Sequence, residues 1–250
     1  MFIKARNFIG RTIRAEDGRI GHCRDFLFDE TMWTIRYLIA DTGGWLPGRK
    51  VLLSPISIDL PDPVTGDLPV QLSRAQIEKA PELPLEAPVS QQYESRYHTY
   101  YGWPFYWRGP YTWGVHSYPR SLRDLPAKNG MSDAEGASAD LHSVAEVIGY
   151  RIHSTDGEFG RVKDFIVEME TWMIRYLIVD TSRWLRCYLV LIAPQWVSEV
   201  DWLSECISLE MEKDRIRHAP AYDAEVRIDR KYEKRLYDYF EKSRYWEKGA

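Results

Sequence analysis

Apolar residues recur along the chain in short alternating runs broken by glycine, proline and acidic turns, the pattern of half-buried β-strands and not of long helices. One run, residues 33 to 42, reads WTIRYLIADT; another, residues 172 to 181, reads WMIRYLIVDT. Aligning Gly10 with Gly149, an offset of 139, keeps the register without a gap from 9 to 55 against 148 to 194, with about 21 of those 47 positions identical. The offset returns at Ile77/Ile216, Ala80/Ala219 and Pro81/Pro220. It returns again at Tyr93/Tyr232, Glu94/Glu233, Arg96/Arg235, Tyr100/Tyr239, Tyr106/Tyr245 and Trp107/Trp246. A unit of about 99 residues written twice predicts a pair of domains, because solenoid repeats run only about 20–50 residues.

Both copies predict the same elements. Asp17-Gly18 and Asp156-Gly157 suit tight hairpins, and DFLFD/DFIVE, the WxIRYLIxDT run and KVLLSP/YLVLIAP read as strands. Four short strands at hairpin spacing favour a small antiparallel barrel. LPVQLS and CISLEM add a strand. SRAQIEKAP and EKDRIRHAP add a helical turn or two, with Ser73 and Gln76 spaced as a capping box. Near the end, Tyr232, Leu236, Tyr239 and Phe240 form one stripe on a helix that Asp229 can cap. The matching segment of the first copy meets Gly102 and Pro104, so its helix is expected to end earlier.

The expected fold is therefore mainly β: two tandem small antiparallel β-barrels, each followed by a short helical tail. The boundaries place the first barrel at 1–86, its aromatic helical tail at 87–107, a linker at 108–147, the second barrel at 148–225 and a C-terminal helix at 226–250. The Trp/Tyr-dense stretch 93–118 is read as a strap packed over the first barrel, with an exposed aromatic binding surface as the alternative.

Composition narrows the chemistry. A hydrophobic share of 44% supports folded cores, and a formal net charge of -4 provides no global field for polyanions, so nucleic acid is an unlikely partner. The longest apolar run, 187 to 193, falls far short of the roughly 18 residues of a spanning helix, and MFIKARNFIG lacks the apolar core of a signal peptide. A soluble, cytoplasmic protein is expected, with peripheral membrane association left open. Cys23, Cys187 and Cys206 are odd in number and lack CxxC spacing, which predicts reduced, structural thiols. The six histidines never align across the repeat, and GxGxxG, GxxxxGK[ST] and HExxH are absent from the sequence. No catalytic residues, cofactor or metal site are expected.

Two copies of IG…DG…G…DF…W.IRYLI.DT…W…VL..P resemble PRC-barrel domains. That family includes the cytoplasmic domain of the photosynthetic reaction-centre H subunit and the C-terminal domain of ribosome-maturation factors. The later pattern VDW…APAYD…YE..LYDYF…YW is similar to stand-alone bacterial members. The resemblance implies small β-barrels used for assembly and protein contacts, with no family catalytic residues. The first copy departs from the pattern at Pro63, where the second has Trp202. The expected function is a non-enzymatic protein-interaction or scaffold protein. The alternatives are an RNA-processing or ribosome-assembly accessory factor and a peripheral component related to the H subunit.

Alternation puts Trp33, Ile35, Tyr37 and Ile39 on one strand face and Thr34, Arg36, Leu38 and Ala40 on the other. The outer face around Leu38 and Leu177 is expected to lie under the tail helix or a partner subunit, with Arg36 and Arg175 at its rim near Asp25 or Asp164. The candidate interaction surface comprises Arg36, Leu38, Trp45, Arg175, Leu177, Trp184, Tyr232, Leu236 and Tyr239. Its partner would be another protein, or a second copy meeting it through the barrel faces.

Overall fold

The computed structural model describes residues 1–119, 139–181 and 189–247. Trp184, Cys187 and the 120–138 portion of the expected linker lie outside the described residues. The chain is mainly β, with 36% strand against 23% helix. It divides into unit 1, holding Met1, Ile3–Glu146 and Val167–Ile174, and unit 2, holding Phe2, Val147–Ile166 and Arg175–Ala250.

After a short strand β1 (Phe2–Lys4), unit 1 builds an antiparallel meander from β2 (Thr12–Ala15), β3 (Gly18–Asp29), β4 (Thr34–Asp41) and β5 (Val51–Leu53). β6 (Leu68–Pro69) pairs parallel with β2, and β7 (Leu141–Ser143) pairs antiparallel with β3. Ala15 pairs with Gly18, so Glu16 and Asp17 form the hairpin loop and the glycine opens the next strand. Asp17 also caps helix α1 (Arg74–Lys79), accepting the Arg74 N–H at 2.8 Å, and the Ser73/Gln76 capping box forms as expected. Gly21 is required by a close crossing, because a Cβ there would stand 1.9 Å from the Asp41 carbonyl oxygen. The matched Gly160 of unit 2 meets Asp180 in the same way, at 2.5 Å.

Two bulges interrupt the β3–β4 ladder. Cys23 pairs with Ala40 and Asp25 with Ile39, leaving Arg24 extra; Leu27 pairs with Tyr37 and Phe28 with Ile35, leaving Arg36 extra. The second bulge corrects the expected faces. Tyr37, Leu27 and Leu52 form the layer on which helix α2 (Gln91–Tyr101) lays Tyr93 and Tyr97, with Ile39 packed beside them. Leu38 pairs with Phe26 on the opposite face, where both are buried in the core. In that core the ring of Phe8 meets Phe26 at 5.5 Å and Trp172 at 6.2 Å. Trp172 comes from the hairpin tip that belongs to unit 1. Its carbonyl accepts the Ile35 N–H at 2.9 Å, and the Ile174 N–H donates to Trp33 at 2.7 Å. Both tryptophans hold left-handed backbone angles, with φ of 50° and 59°.

Of the expected linker, 108–119 packs on unit 1 and 141–143 forms β7 there. Helix α3 (Val144–Val147) follows. The buried Asp25 carboxylate holds its start, accepting from the Ser143 hydroxyl and from the Ala145 N–H at 3.1 Å. Burial raises the Asp25 pKa, against the pull of the Ser143 hydrogen bond.

Unit 2 repeats much of this plan. β8 (Arg151–Ser154) pairs with β9 (Gly157–Glu168), β10 (Met173–Asp180) with β11 (Leu189–Ile192), and β12 (Val197–Asp201) with β13 (Cys206–Leu209), which runs parallel to β8. Asp156 accepts the N–H of Lys213 at 2.9 Å, at the start of α4 (Lys213–Arg217). Asp229 caps α5 (Arg230–Phe240). α2 and α5 have equal lengths of 11 residues, which corrects the expected early stop of α2. Gly102 serves as its left-handed C-cap, and Glu241 adopts the same conformation after α5. Among the described residues, the strand pairings form an open sheet and not a closed ring, and no helix is long and apolar enough to cross a membrane.

Gly21→Ala forces a side chain into the Asp41 backbone and is expected to lower unfolding free energy by about 1–3 kcal/mol. Gly44→Ala, where an added Cβ meets nothing within 4 Å, should stay within about 0.5 kcal/mol in the same urea titration.

Candidate functional site

The layer between strand and tail helix gathers the polar groups that recur in both copies. In unit 1, helix α2 carries Glu94 inward, 1% exposed. Its carboxylate accepts the Tyr37 hydroxyl at 2.9 Å and the Tyr106 hydroxyl at 2.7 Å. The β4 bulge turns Arg36 toward the same side as Tyr37. Its Nε donates to Asp29 at 2.8 Å and its Nη1 to the Thr112 carbonyl at 2.7 Å. Its guanidinium carbon lies 3.9 Å from the Tyr106 ring centroid and 4.8 Å from that of Trp113. A planar, weakly hydrated cation suits such a stacked and paired site better than an ammonium would. Trp113 is itself buried and donates its indole N–H to the Thr171 carbonyl at 2.8 Å.

Burial, and then the Glu94 charge, push the Tyr37 and Tyr106 phenols well above their ordinary pKa, so both stay protonated as donors. His98 completes the cluster. Its Nδ1 lies 2.9 Å from the Pro104 carbonyl, which can only accept, so that nitrogen carries the proton. Nε2 lies 3.1 Å from the Tyr37 hydroxyl oxygen, so it and Glu94 compete for that group's single proton. Burial lowers the His98 pKa to about 4, with the Arg36 charge acting in the same direction.

Unit 2 repeats the arrangement at matched positions. Glu233 accepts the Tyr176 hydroxyl at 2.6 Å and the Tyr245 hydroxyl at 2.9 Å, and Arg175 lies 4.1 Å from the Tyr245 centroid. Arg230 adds an ion pair to Glu233 at 2.9 Å. Tyr237 replaces His98 and accepts from the Gln195 amide at 2.9 Å. The tails are tied down alike: Tyr93 donates to Pro81 at 3.2 Å and Tyr232 to Pro220 at 3.1 Å. Likewise Tyr100 donates to Gln76 at 2.9 Å and Tyr239 to Arg215 at 2.7 Å.

This geometry redistributes the candidate surface. Leu38, Leu177 and Leu236 are fully buried within their own units and present nothing to an outside partner. Arg36 is 3% exposed, not at a rim, and its carboxylate is Asp29 instead of Asp25. Arg175, Tyr232 and Tyr239 are half-buried in the tail layer, and Trp45 is half-buried beneath Arg74 at 4.6 Å. The strap expectation fits Tyr106 and Trp113, which are buried, whereas Tyr111, Val115 and Tyr118 of the same stretch are exposed. Cys23 and Cys206 are buried and free, and burial raises both thiol pKa values.

The sequence reading assigned no role to Tyr37, Glu94, Tyr106 or His98. A signal existed for the first three, each of which is identical at the matched position. An unvarying carboxylate beside unvarying tyrosines in an apolar setting marks a buried hydrogen-bond network. His98 has no such signal, because its counterpart is Tyr237. Among the described residues, no group of three or more His, Cys, Asp or Glu is placed to hold a metal ion. No protein-family model and no curated protein matches the chain.

Removing Glu94 strands two buried phenols. Glu94→Ala is expected to cost about 3–5 kcal/mol in denaturant unfolding, and Glu94→Gln, which keeps an acceptor, about 1–3 kcal/mol. His98 yields a pH signature. Its folded pKa, about 4, lies below the ordinary histidine value of 6.5, so the unfolded chain takes up the proton first on acidification. Its contribution to stability is full above about pH 6.5 and is lost as pH falls toward about 4, by at most about 1.4 kcal/mol per pH unit. Subtracting the profile of His98→Gln from that of wild type should isolate this slope.

Proposed function

We propose that the chain is a non-enzymatic protein-interaction or scaffold protein built from a duplicated PRC-barrel-like unit. One observation carries this reading: matched turns in the two units hold an apolar side chain out into solvent, Val64 at 91% exposure and Leu203 at 98%. Both turns are braced. Asp62 accepts the N–H groups of Val64 and Thr65 at 2.9 and 2.7 Å, and Asp201 accepts that of Ser204 at 2.9 Å. A single exposed apolar residue is ordinary, but two at the same station on side-chain-locked turns form preorganised contact points that cost little ordering entropy to dock. The recurring polar groups support the same reading, since Glu94 and Glu233 are engaged with tyrosines of their own unit and Arg36 and Arg175 stack on Tyr106 and Tyr245. Two linked units raise the effective concentration of the second contact once the first has formed. The occupant is a protein surface with an apolar notch, supplied by a partner or by another copy of this chain.

The test is a Val64→Asp/Leu203→Asp double variant, whose sites are exposed enough to leave the fold intact by circular dichroism. Sedimentation of the purified chain and affinity capture from native lysate are then compared with wild type. The expected result is an assembly or a defined captured protein that weakens at least about tenfold in the variant. A wild type that stays monomeric and captures no protein dependent on these two side chains overturns the proposal.

A further inference from the structure

Unit 1 is completed by two pieces of the second sequence copy. The first is β7, which runs along the edge of β3 beyond the reach of β2, with Leu27 opposite Ser143, Phe28 opposite His142 and Asp29 opposite Leu141. The Glu30 N–H extends the ladder to the Asp140 carbonyl at 3.3 Å, and the His142 ring lies 3.2 Å from the Glu30 carboxylate. Asp25 closes the far end, accepting the Ser143 hydroxyl and the Ala145 N–H. The second piece is the hairpin tip 167–174. Its Trp172 is buried against Phe8 and Phe26, and its Thr171 carbonyl accepts the Trp113 indole N–H.

Both pieces have counterparts in the first copy. At the offset of 139, Leu141–Ser143 matches Phe2–Lys4, and each of these segments is a strand. Phe2 in turn belongs to unit 2, its ring centroid 6.3 Å from that of Tyr176. Each copy's opening strand therefore lends residues to the unit built mainly by the other copy. The hairpin tips show the same reciprocity. Ile35 donates to the Trp172 carbonyl and Ile174 donates to the Trp33 carbonyl, and station 35 matches 174 as 33 matches 172. A contact in which station i meets station j and j meets i marks a surface that pairs with its own duplicate.

We infer that the β3 edge at Leu27–Asp29, with Asp25 at its end and the Phe8/Phe26 site of Trp172, is a docking site for a second copy of the repeat unit, held without need of the covalent link. The second half of the same chain fills it here, and the second half of another chain fits it equally. Main-chain pairing with β7 sets the register, while the buried indole supplies apolar area, the division of labour of strand-addition recognition. Linking the two copies in one chain raises their effective concentration, so the internal occupant wins when chains are dilute. The site is separate from the turns of Val64 and Leu203.

The direct measurement takes the full chain with a specific protease site inserted between residues 119 and 139. Val64→Asp and Leu203→Asp are added to it, so that association through those turns is absent. After cleavage the halves are expected to sediment together, one to one, at about 1 μM. Refolding a mixture of isotope-labelled and unlabelled cleaved chain from urea should give cross-pairs of labelled and unlabelled halves by native mass spectrometry. Trp172→Ala should raise the dissociation constant of the halves at least about tenfold. Should that variant misfold, Ser143→Ala removes one donor to Asp25 and should weaken association several-fold. Halves that separate on cleavage overturn the inference. So does a refolded mixture without cross-pairs, and so does association unchanged in the folded variants.

Discussion

A carboxylate buried beneath a helix, satisfied by two tyrosine hydroxyls, is the constraint around which each unit is arranged. An ionised glutamate out of water costs several kcal/mol unless it is paired and fully hydrogen-bonded. Glu94 and Glu233 meet that demand with donors from two segments: a tyrosine on the strand below and one from the chain beyond the helix. The network therefore specifies more than it stabilises. Turning the tail helix by one residue, roughly 100°, would swing the carboxylate away from both phenols. Sliding the strand by one residue would send its tyrosine to the opposite face. The β4 bulge belongs to the same logic, because only an extra residue lets Arg36 and Tyr37, neighbours in sequence, address one side of the sheet.

Around this shared frame the units diverge in ways that conserve function of the frame and not identity of the side chains. His98 occupies the station of Tyr237, and each finds a different partner for its polar atoms, Pro104 and Tyr37 in one case and Gln195 in the other. Gly102 ends α2 in the conformation that Glu241 adopts after α5 without glycine's freedom. The aromatic ring against the helix end comes from Trp196, before the helix, in unit 2. In unit 1 Trp103, after the helix, stacks there. Cores tolerate such exchanges when volume is recovered locally.

Much of the fold was legible along the chain because local signals carry local structure. The strands, the Ser73/Gln76 capping box, the Asp229 cap and the aromatic stripe of α5 all follow from spacing within a few residues. The face of the central strand did not follow, because alternation counts one residue per step and a bulge inserts one silently. That single shift placed Leu38 in the core and Tyr37 under the helix, the reverse of the periodic reading. Non-local pairings were equally hidden. Nothing in the runs near 141–143 or 167–174 states that they belong with unit 1. The network glutamates and tyrosines stood out as unvarying positions, yet their meaning required knowing that the helix lies on that face.

The reversal also constrains where recognition can occur. With the tail helix seated on the Tyr37 face and Leu38 sealed in the core, neither face of the central strand is left for a partner. Any outside molecule must read the edges, turns and tail surfaces. Those are the places where side chains change between matched positions at little cost to the frame, as Pro63 against Trp202 illustrates. Core stations and network stations are held by packing and by hydrogen-bond satisfaction, so they can repeat without being functional. A repeat of this kind therefore helps to separate two quantities that a single sequence usually mixes: agreement between buried stations reports the demands of folding, whereas agreement at an exposed station, as at Val64 and Leu203, is not required by packing.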